Sequence, residues 1–149
     1  MTKTISGLFF ISLFTYLSIS PSSCAIQEEN SLIKKHNYEE IQELIIPYSN
    51  LLKMEDFEYF AYIYSDNCLY CETIKNEIIE FALLGRYPLY FIPYTKDIPL
   101  LTNVDDTINK NTLDHIGILG TPSLIQIIDG YIKLNVSGQE IILSIIKQY

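Results

Sequence analysis

The hydrophobic positions of the chain form short runs whose spacing changes along the sequence. From Tyr59 to Tyr64 every residue is aromatic or apolar, without strict alternation, which is typical of a strand buried on both faces. Residues 65–67 form a turn cluster, and helical spacing follows from Leu69. The positions that share one helical face are Ile74, Ile78, Phe81 and Ala82. The pattern therefore predicts a central strand that leads directly into an amphipathic helix ending near Gly85.

The second half of the chain predicts more strands and a last helix. Leu89–Tyr94 is a strand pattern in which Pro93 fits only near an end or an edge. Two further strand patterns, Ser123–Ile128 and Tyr131–Val136, are joined by the hairpin dipeptide Asp129-Gly130. A capping box of Ser137 and Glu140 then predicts a terminal helix with one isoleucine-rich face.

The region before the first strand predicts helical pieces. Asn37 and Glu40 form a capping-box pattern, and apolar residues recur at helical spacing as far as Ile45. Pro47 should end this helix and open a second piece within residues 48–57. A short helix is also predicted at Thr112–Ile118. The order helix, strand, helix, strand, helix, hairpin, helix indicates an α/β fold.

The first 25 residues have the pattern of an export segment. Lys3 precedes the uncharged, strongly apolar run Ile5–Ile19, and small residues follow up to Ala25. Three interpretations stay open: cleavage after Ala25, a lipoprotein signal in which Cys24 carries the lipid, and an uncleaved membrane anchor. All three predict a domain outside the cytoplasm, secreted or anchored to the outer face of the membrane. Residues 26–37 are then predicted to form a linker, and residues 38–149 are predicted to form one domain.

Composition narrows the classes of partner. The formal net charge is -8, from 18 acidic and 10 basic residues, and Lys34-Lys35 is the longest basic run. An acidic surface repels phosphate backbones, so nucleic acid is not an expected partner. The hydrophobic fraction of 48% is enough for a core without disulfide staples. We expect most of the 12 tyrosines to belong to this core and His115 to be structural.

Two of the three cysteines carry the candidate chemistry. Cys68 and Cys71 have Cys-x-x-Cys spacing at the predicted strand-to-helix junction. The unpaired N–H groups at a helix N-terminus stabilise a thiolate, so Cys68 is predicted as the attacking thiol and Cys71 as the resolving one. A static disulfide, part of a zinc site with His36 and His115, and a pair of inert core thiols are the alternatives.

The motifs together resemble the thioredoxin superfamily. Cys68-Leu69-Tyr70-Cys71 after a hydrophobic strand, followed by Ile118-Leu119-Gly120-Thr121-Pro122 and a hairpin, is the combination that carries the resemblance. It implies a three-layer α/β/α sandwich with a central mixed sheet. It also implies that the Thr121-Pro122 bond is cis and faces the dithiol, with the backbone of Thr121 offered to a substrate peptide. Among the small exported members of the superfamily, the chain also resembles bacteriocin-transport accessory proteins, and this likeness is weaker.

The chain departs from that superfamily at positions that set redox behaviour. Thioredoxins place a buried Asp in the strand before the dithiol, and the matching position here is about Tyr62. Strong oxidants of the superfamily place a His between the cysteines, whereas this chain has Leu69 and Tyr70. Asp66 and Glu72 add negative charge nearby, so these residues should keep the Cys68 pKa from falling far. We therefore expect a weak reductant or an isomerase-like protein rather than a strong oxidant.

Two functions follow as expectations. The first is an extracytoplasmic thiol-disulfide oxidoreductase that acts on protein disulfides through Cys68 and Cys71 and positions the peptide through Thr121 and Pro122. It needs no bound cofactor or metal, only a redox partner protein, and we expect a monomer. The second is an accessory protein that binds an exported client in the same groove without turnover.

Overall fold

The computed structural model describes residues 35–149 of the chain. The predicted export segment at 1–25, with Cys24, and most of the predicted linker at 26–37 lie outside these residues. Within the described part, no helix combines the length and apolar character needed to cross a membrane. The element bounds in chain order are β1 Glu58–Tyr64, α1 Leu69–Leu84, β2 Leu89–Pro93, β3 Ser123–Ile128, β4 Tyr131–Ser137 and α2 Gln139–Ile146.

The strands form one mixed sheet in the order β2-β1-β3-β4. β1 pairs in parallel with β2 and antiparallel with β3, and β3 pairs antiparallel with β4 across Asp129-Gly130. The continuous aromatic and apolar run of β1 therefore lies in the sheet interior, as its pattern predicts. Pro93 is the last residue of the edge strand β2, where a missing N–H costs no ladder hydrogen bond.

Alternate residues of β1 face two separate parts of the core. Phe60, Tyr62 and Tyr64 pack in the cluster that contains the buried faces of α1 and α2. Tyr59 and Ile63 pack on the opposite face, against residues of the loops around Ile98 and Ile116. The period of two along a strand produces this division. Tyr59, Tyr62 and Tyr64 are buried, and five more tyrosines pack against the core while partly buried, which agrees with the prediction that tyrosines belong mainly to the core. These five are Tyr38, Tyr48, Tyr87, Tyr90 and Tyr94.

The second face of the sheet is covered by 3-10 turns and loops. The predicted helix at Thr112–Ile118 is one 3-10 turn, Leu113–His115, and the predicted piece within 48–57 is the turn Tyr48–Asn50. Asp105–Thr107 forms another such turn. The α/β class with a central mixed sheet is confirmed, and its third layer consists of these short turns.

The segment before β1 is helical only briefly. The predicted capping box is present, because Asn37 Oδ1 accepts from the Glu39 N–H at 2.8 Å and Glu40 Oε1 accepts from the Asn37 N–H at 3.1 Å. It opens a 3-10 helix, Tyr38–Leu44, not an α-helix. The chain leaves helical geometry at Ile41, and Ile45 then bridges in parallel to Phe91 of β2. Pairing with the sheet edge thus competes with continuation of the helix.

The predicted capping box of α2 is wrong. The N-cap of α2 is Gly138, and no side chain among residues 35–149 caps this helix. Ser137 is instead the last residue of β4, opposite Ser123 of β3, and the two hydroxyls hydrogen-bond each other. Strand pairing therefore takes the hydroxyl that the local sequence pattern assigns to the helix.

Candidate active site

Cys68 lies between β1 and α1 and caps the helix. Its backbone is extended, and its Sγ accepts from the N–H of Cys71 at 3.0 Å. The sulfur takes the place that a Ser or Asp oxygen usually takes at a helix N-terminus. A thiolate formed at Cys68 would receive the same N–H together with the positive end of the helix dipole.

Cys71 lies one turn further along α1 and points into the core. It is fully buried, whereas Cys68 is partly exposed. The two cysteines form a disulfide, with their Cα atoms 5.2 Å apart. Cys68 is therefore the sulfur that a substrate can reach, while the predicted roles of Cys68 as attacker and Cys71 as resolver stay predictions.

The loop before β3 brings Thr121 and Pro122 against the dithiol. The Thr121-Pro122 peptide bond is cis, as the resemblance implies. The carbonyl oxygen of Thr121 lies 3.3 Å from Cys68 Sγ. In the reduced protein, the Cys68 thiol is therefore placed to donate a hydrogen bond to Thr121. Residues separated by more than 50 positions in sequence thus meet at one sulfur atom.

Hydrogen bonds at both ends hold this loop in place. On the β3 side, Ser123 Oγ donates to the carbonyl of Gly120 at 2.5 Å, and the Gly138 N–H donates to the carbonyl of Pro122 at 2.9 Å. On the other side, the Ile118 N–H donates to the carbonyl of Pro99 at 2.9 Å, and the Leu101 N–H to the carbonyl of Ile118 at 2.8 Å. The loop is therefore tied to the sheet and to the connection after β2.

Asn135 and Gly117 support the same loop from within. The buried Asn135 side chain donates through Nδ2 to the carbonyl of Gly117 at 2.8 Å and to Thr107 Oγ1 at 3.1 Å. A Cβ on Gly117 would lie 2.6 Å from the Pro99 carbonyl oxygen. Only glycine allows this approach, so Gly117 brings the two backbone segments together.

The four residues predicted to modulate the cysteines all lie on the exposed rim of the dithiol. Leu69 is 77% exposed and Tyr70 is 60% exposed, and Asp66 is exposed as well. Glu72 is also exposed, but its carboxylate pairs with Lys75 Nζ at 3.1 Å. This pair offsets part of the negative charge that the sequence assigns to Glu72, so Asp66 is the acid without a charged partner in the described residues.

Tyr62 occupies the interior beside this site. Its side chain is fully buried, and its hydroxyl has no hydrogen-bond partner among residues 35–149. Burial raises the pKa of Tyr62, and the neighbouring Tyr64 adds to the rise. The phenol therefore stays protonated at neutral pH. A phenol at this position supplies no carboxylate for taking up a proton.

A tyrosine stack connects the first 3-10 helix with the dithiol end. The rings of Tyr38 and Tyr64 stack with centroids 4.0 Å apart, and Lys75 Nζ lies 5.1 Å from the centre of the Tyr38 ring. Burial raises the pKa of Tyr38, and the phenols of Tyr62 and Tyr64 raise it further, followed by Asp66 and Glu72. The segment that begins at Asn37 is therefore part of the wall around the site.

Two surface grooves flank the dithiol. The larger, which we call the α2 groove, has a volume of about 530 Å³ and is lined by Tyr70 and residues 137–141. The smaller has a volume of about 250 Å³ and is lined in part by Tyr94, Leu100 and Thr121. The sequence did not indicate residues 137–141 or Leu100 as site residues, because only the fold places them beside the cysteines. The one sequence feature that points to the α2 groove is Gly138, the glycine just before the last helix.

The predicted histidine candidates lie apart from the dithiol contacts. His36 Nδ1 lies 3.1 Å from Glu40 Oε2, and His115 Nδ1 lies 2.8 Å from Thr112 Oγ1. Across the described range, no group of three or more His, Cys, Asp or Glu residues is arranged to hold a metal ion. His115 lies on the turn Leu113–His115 that covers the sheet, as the structural interpretation of this residue predicts.

Comparisons with known proteins give matches only among solved structures. No family model matches the chain. No curated protein matches it. A solved structure described as a candidate oxidoreductase with a thioredoxin fold aligns with a TM-score of 0.50 at 14% identity, covering 76% of this chain and 97% of that chain.

Two solved thioredoxins align less well. Thioredoxin f2 of Chlamydomonas reinhardtii aligns with a TM-score of 0.47 at 11% identity, covering 70% of this chain and 93% of its own. The Malassezia sympodialis thioredoxin Mala s 13 aligns with a TM-score of 0.43 at 16% identity, covering 70% and 87%. Similarity at such identities concerns the fold alone.

Proposed function

Because the chain has the thioredoxin fold, with Cys68 and Cys71 at the start of its first α-helix, we propose that it is a thiol-disulfide oxidoreductase. The observation that carries the proposal is the surroundings of Cys68 Sγ, which lies 3.0 Å from a helix N–H and 3.3 Å from the carbonyl before the cis proline. A partly exposed sulfur with a buried partner one turn away suits reversible disulfide exchange. The substrate class is protein disulfides.

The reaction proceeds by two sulfur displacements. The Cys68 thiolate attacks one sulfur of the substrate disulfide, so that a mixed disulfide forms and the other substrate sulfur leaves as a thiolate. Cys71 then loses its proton and attacks Cys68 Sγ, which releases the second substrate sulfur. Two electrons pass from the protein dithiol to the substrate, and two protons end on the substrate thiols. A redox partner protein with its own dithiol then reduces the Cys68–Cys71 disulfide.

The residues around the dithiol have separate parts in these steps. The Cys71 N–H stabilises the Cys68 thiolate, and the backbone of Thr121 beside Pro122 positions the extended peptide that carries the substrate disulfide. Tyr62 supplies no carboxylate for the proton of Cys71, so we propose that water or the departing substrate thiolate takes it. Resolution by Cys71 is then slower than attack by Cys68.

We also propose that the domain works outside the cytoplasm, secreted or anchored to the outer face of the membrane. Support comes from the pattern of residues 1–25, with Lys3 before the apolar run and small residues up to Ala25. An oxidising compartment maintains protein disulfides as substrates.

Binding of a client without turnover is the second candidate function. The observation that favours it is the phenol of Tyr62 where a buried acid would speed resolution, together with the open α2 groove. In this case the same surface holds the client, and the disulfide serves only to keep the groove in shape.

The two functions differ in an assay of insulin reduction and of scrambled ribonuclease refolding. The full chain is compared with Cys68→Ser, and Cys24→Ser is the matched control because it also removes one cysteine. An oxidoreductase requires that Cys68→Ser lose at least about 100-fold in rate, since the nucleophile is gone, while Cys24→Ser keeps the wild-type rate. Equal rates for wild type and Cys68→Ser would leave only the binding function.

A further inference from the structure

Large apolar side chains are exposed around the dithiol. Leu69 and Tyr70 lie between the two cysteines, and the exposed Leu100 lines the smaller groove together with Thr121. Ile141, which is 44% exposed, lines the α2 groove together with Tyr70. Single exposed apolar residues are ordinary, but a cluster of them on one surface marks an interaction site. This surface therefore fits an apolar ligand.

The α2 groove is the part of this surface with the most room. Its volume of about 530 Å³ is within the range of sites that hold small ligands, so it takes side chains of a bound peptide. Tyr70 forms one wall, and the start of α2 forms the other. Because Tyr70 lies between Cys68 and Cys71 on the rim of the dithiol, a substrate side chain in the groove belongs to a residue close to the substrate cysteine.

The groove is acidic as well as apolar. Among the residues that the structure describes, its lining contains Glu140 and neither Lys, Arg nor His. Asp66 and Glu72 lie on the rim of the dithiol, where Lys75 is paired with Glu72. Gln139 also lines the groove, and its Oε1 has no hydrogen-bond partner among the described residues. Carboxylate and amide oxygens attract positively charged donors.

The N-terminus of α2 has the opposite polarity. Its first N–H groups have no side-chain cap in the part of the chain that the structure describes, and a helix N-terminus carries about half a positive charge. Glu140 lies in the first turn of the same helix and carries a full negative charge, so the groove as a whole is negative. The N–H groups remain suited to peptide carbonyl oxygens, which are neutral acceptors.

We propose that the substrate of this site is an extended polypeptide segment that carries apolar and cationic residues next to its cysteine. The proposal rests on the proposed disulfide exchange and names its substrate class. An apolar substrate side chain packs between Tyr70 and Ile141, and a Lys or Arg side chain faces Glu140. The net charge of -8 favours the approach of such a segment over an acidic one.

Short synthetic peptides test this substrate class. Each peptide carries one cysteine in a mixed disulfide with thionitrobenzoate, and the flanking residues are Leu with Lys, Leu with Glu, or Ser with Lys. The reduced full chain is mixed with each peptide, and release of thionitrobenzoate gives the second-order rate constant. The same peptides are treated with dithiothreitol, and each rate is divided by that rate to remove differences in intrinsic reactivity.

The expected ratio of the Leu-Lys to the Leu-Glu peptide is about two- to fivefold, which is the range for one exposed charge pair. The ratio should decrease as salt is added, because the charges are screened. Glu140→Gln should decrease this ratio, whereas Glu77→Gln, which removes an exposed acid further along α1, should leave it nearly unchanged. A ratio of one in the wild-type chain, or equal effects of the two variants, would overturn the cationic preference.

The apolar part has its own matched variants. Ile141→Ser should slow the Leu-Lys peptide at least about twofold relative to the Ser-Lys peptide, because the apolar contact is lost. Leu83→Ser, at 47% exposure near the end of α1, is the control and should change neither rate.

Sedimentation velocity of the wild-type chain tests whether the groove binds a second copy of the chain. Self-association that Ile141→Ser abolishes would assign the groove to a second copy and overturn the proposal.

Hydroxyethyl disulfide separates this proposal from the proposed function. It has no flanking residues, so its reduction depends on Cys68 and not on the groove. Reduction by wild type but not by Cys68→Ser, without any preference among peptides, would overturn the substrate class alone. No reduction by wild type would overturn the disulfide exchange itself.

Discussion

At the scale of single residues, Cys68 Sγ lies between one group that stabilises its thiolate and another that stabilises its protonated thiol. The Cys71 N–H and the helix dipole stabilise the thiolate, whereas the Thr121 carbonyl stabilises the protonated thiol. The cation nearest in sequence, Lys75, is paired with Glu72. We therefore expect a thiol that is activated only moderately, in agreement with a weak reductant or isomerase-like role.

Tyr90 provides a prediction on alkaline stability. Burial and a hydrogen bond to the Asp56 carboxylate raise the pKa of Tyr90 to about 12. The unfolded chain ionises this phenol near pH 10, so its contribution to stability is present below pH 10 and is lost between pH 10 and 12. Between pH 9 and pH 11, the urea concentration at half unfolding should therefore decrease less for Tyr90→Phe than for wild type.

The control for Tyr90 is Tyr131→Phe, because Tyr131 is exposed at the start of β4. This variant should show the same decrease in midpoint as wild type, measured on the oxidised protein so that neither Cys68 nor Cys71 titrates. An equal decrease in wild type and Tyr90→Phe would show that the Asp56 contact does not govern Tyr90.

At the scale of elements, the site depends on two segments that meet without forming regular structure. Leu100 and Ile118 form an isolated parallel bridge, so the connection after β2 supports the loop that carries Thr121. α1 supplies the N-terminus at which Cys68 lies, and Gly85 ends this helix in the left-handed conformation. The position of the cis-proline loop relative to Cys68 is thus set by backbone contacts on both of its sides.

Gly117→Ala tests this support. The added Cβ would lie 2.6 Å from the Pro99 carbonyl oxygen and 2.8 Å from Leu101 Cγ, so the two segments must separate. We expect a loss of about 1–3 kcal/mol in the free energy of unfolding. The rate of insulin reduction should fall as well, because Thr121 shifts away from Cys68.

Gly85→Ala is the matched control for Gly117→Ala. It has open space around the added Cβ, but its φ of 61° is left-handed and costs about 1–2 kcal/mol for a residue with a side chain. It lies at the opposite end of α1 from Cys68, so the rate of insulin reduction should not change. A rate equally lowered in both variants would mean that reduced stability, not the loop position, explains the effect.

At the scale of the whole molecule, the strands and α1 could be predicted from the sequence and the cover of the second sheet face could not. β1 and the β3–β4 hairpin are marked by dense apolar runs and a turn dipeptide, which are local signals. The turns Leu113–His115 and Tyr48–Asn50 cover the sheet by tertiary packing, and their sequences carry no strong periodicity. Tertiary context overrides weak local propensity in such segments.

The candidate site divides in the same way. Cys68, Cys71 and Pro122 belong to motifs that can be seen in the sequence, and the contact between Thr121 and Cys68 agrees with the resemblance. The α2 groove could not be predicted, because β4 must first pair Ser137 with Ser123 before the start of α2 reaches Tyr70. The roles of Cys68, Cys71, Thr121 and Pro122 in disulfide exchange stay predictions until the variants are measured.

Export is a further prediction for the whole chain. When the full chain is expressed in a secretion-competent host, it should be recovered outside the cytoplasm. A variant that lacks residues 2–25 should stay in the cytoplasm. Palmitate labelling of wild type and Cys24→Ala distinguishes the lipoprotein interpretation from the other two, and the intact mass distinguishes cleavage after Ala25 from a retained anchor. A wild-type chain recovered only in the cytoplasm would contradict the proposed location.

The equilibrium reduction potential of the Cys68–Cys71 pair tests most directly whether this pair is a redox centre for thiol-disulfide exchange. The full chain is equilibrated in thiol-disulfide redox buffers, and its oxidised fraction is measured after alkylation of free thiols. A weak reductant or isomerase-like protein should have a potential between about -270 and -180 mV. A value near -120 mV would contradict the moderate activation of Cys68, and a pair that stays oxidised well below about -300 mV would be a structural disulfide rather than a redox centre.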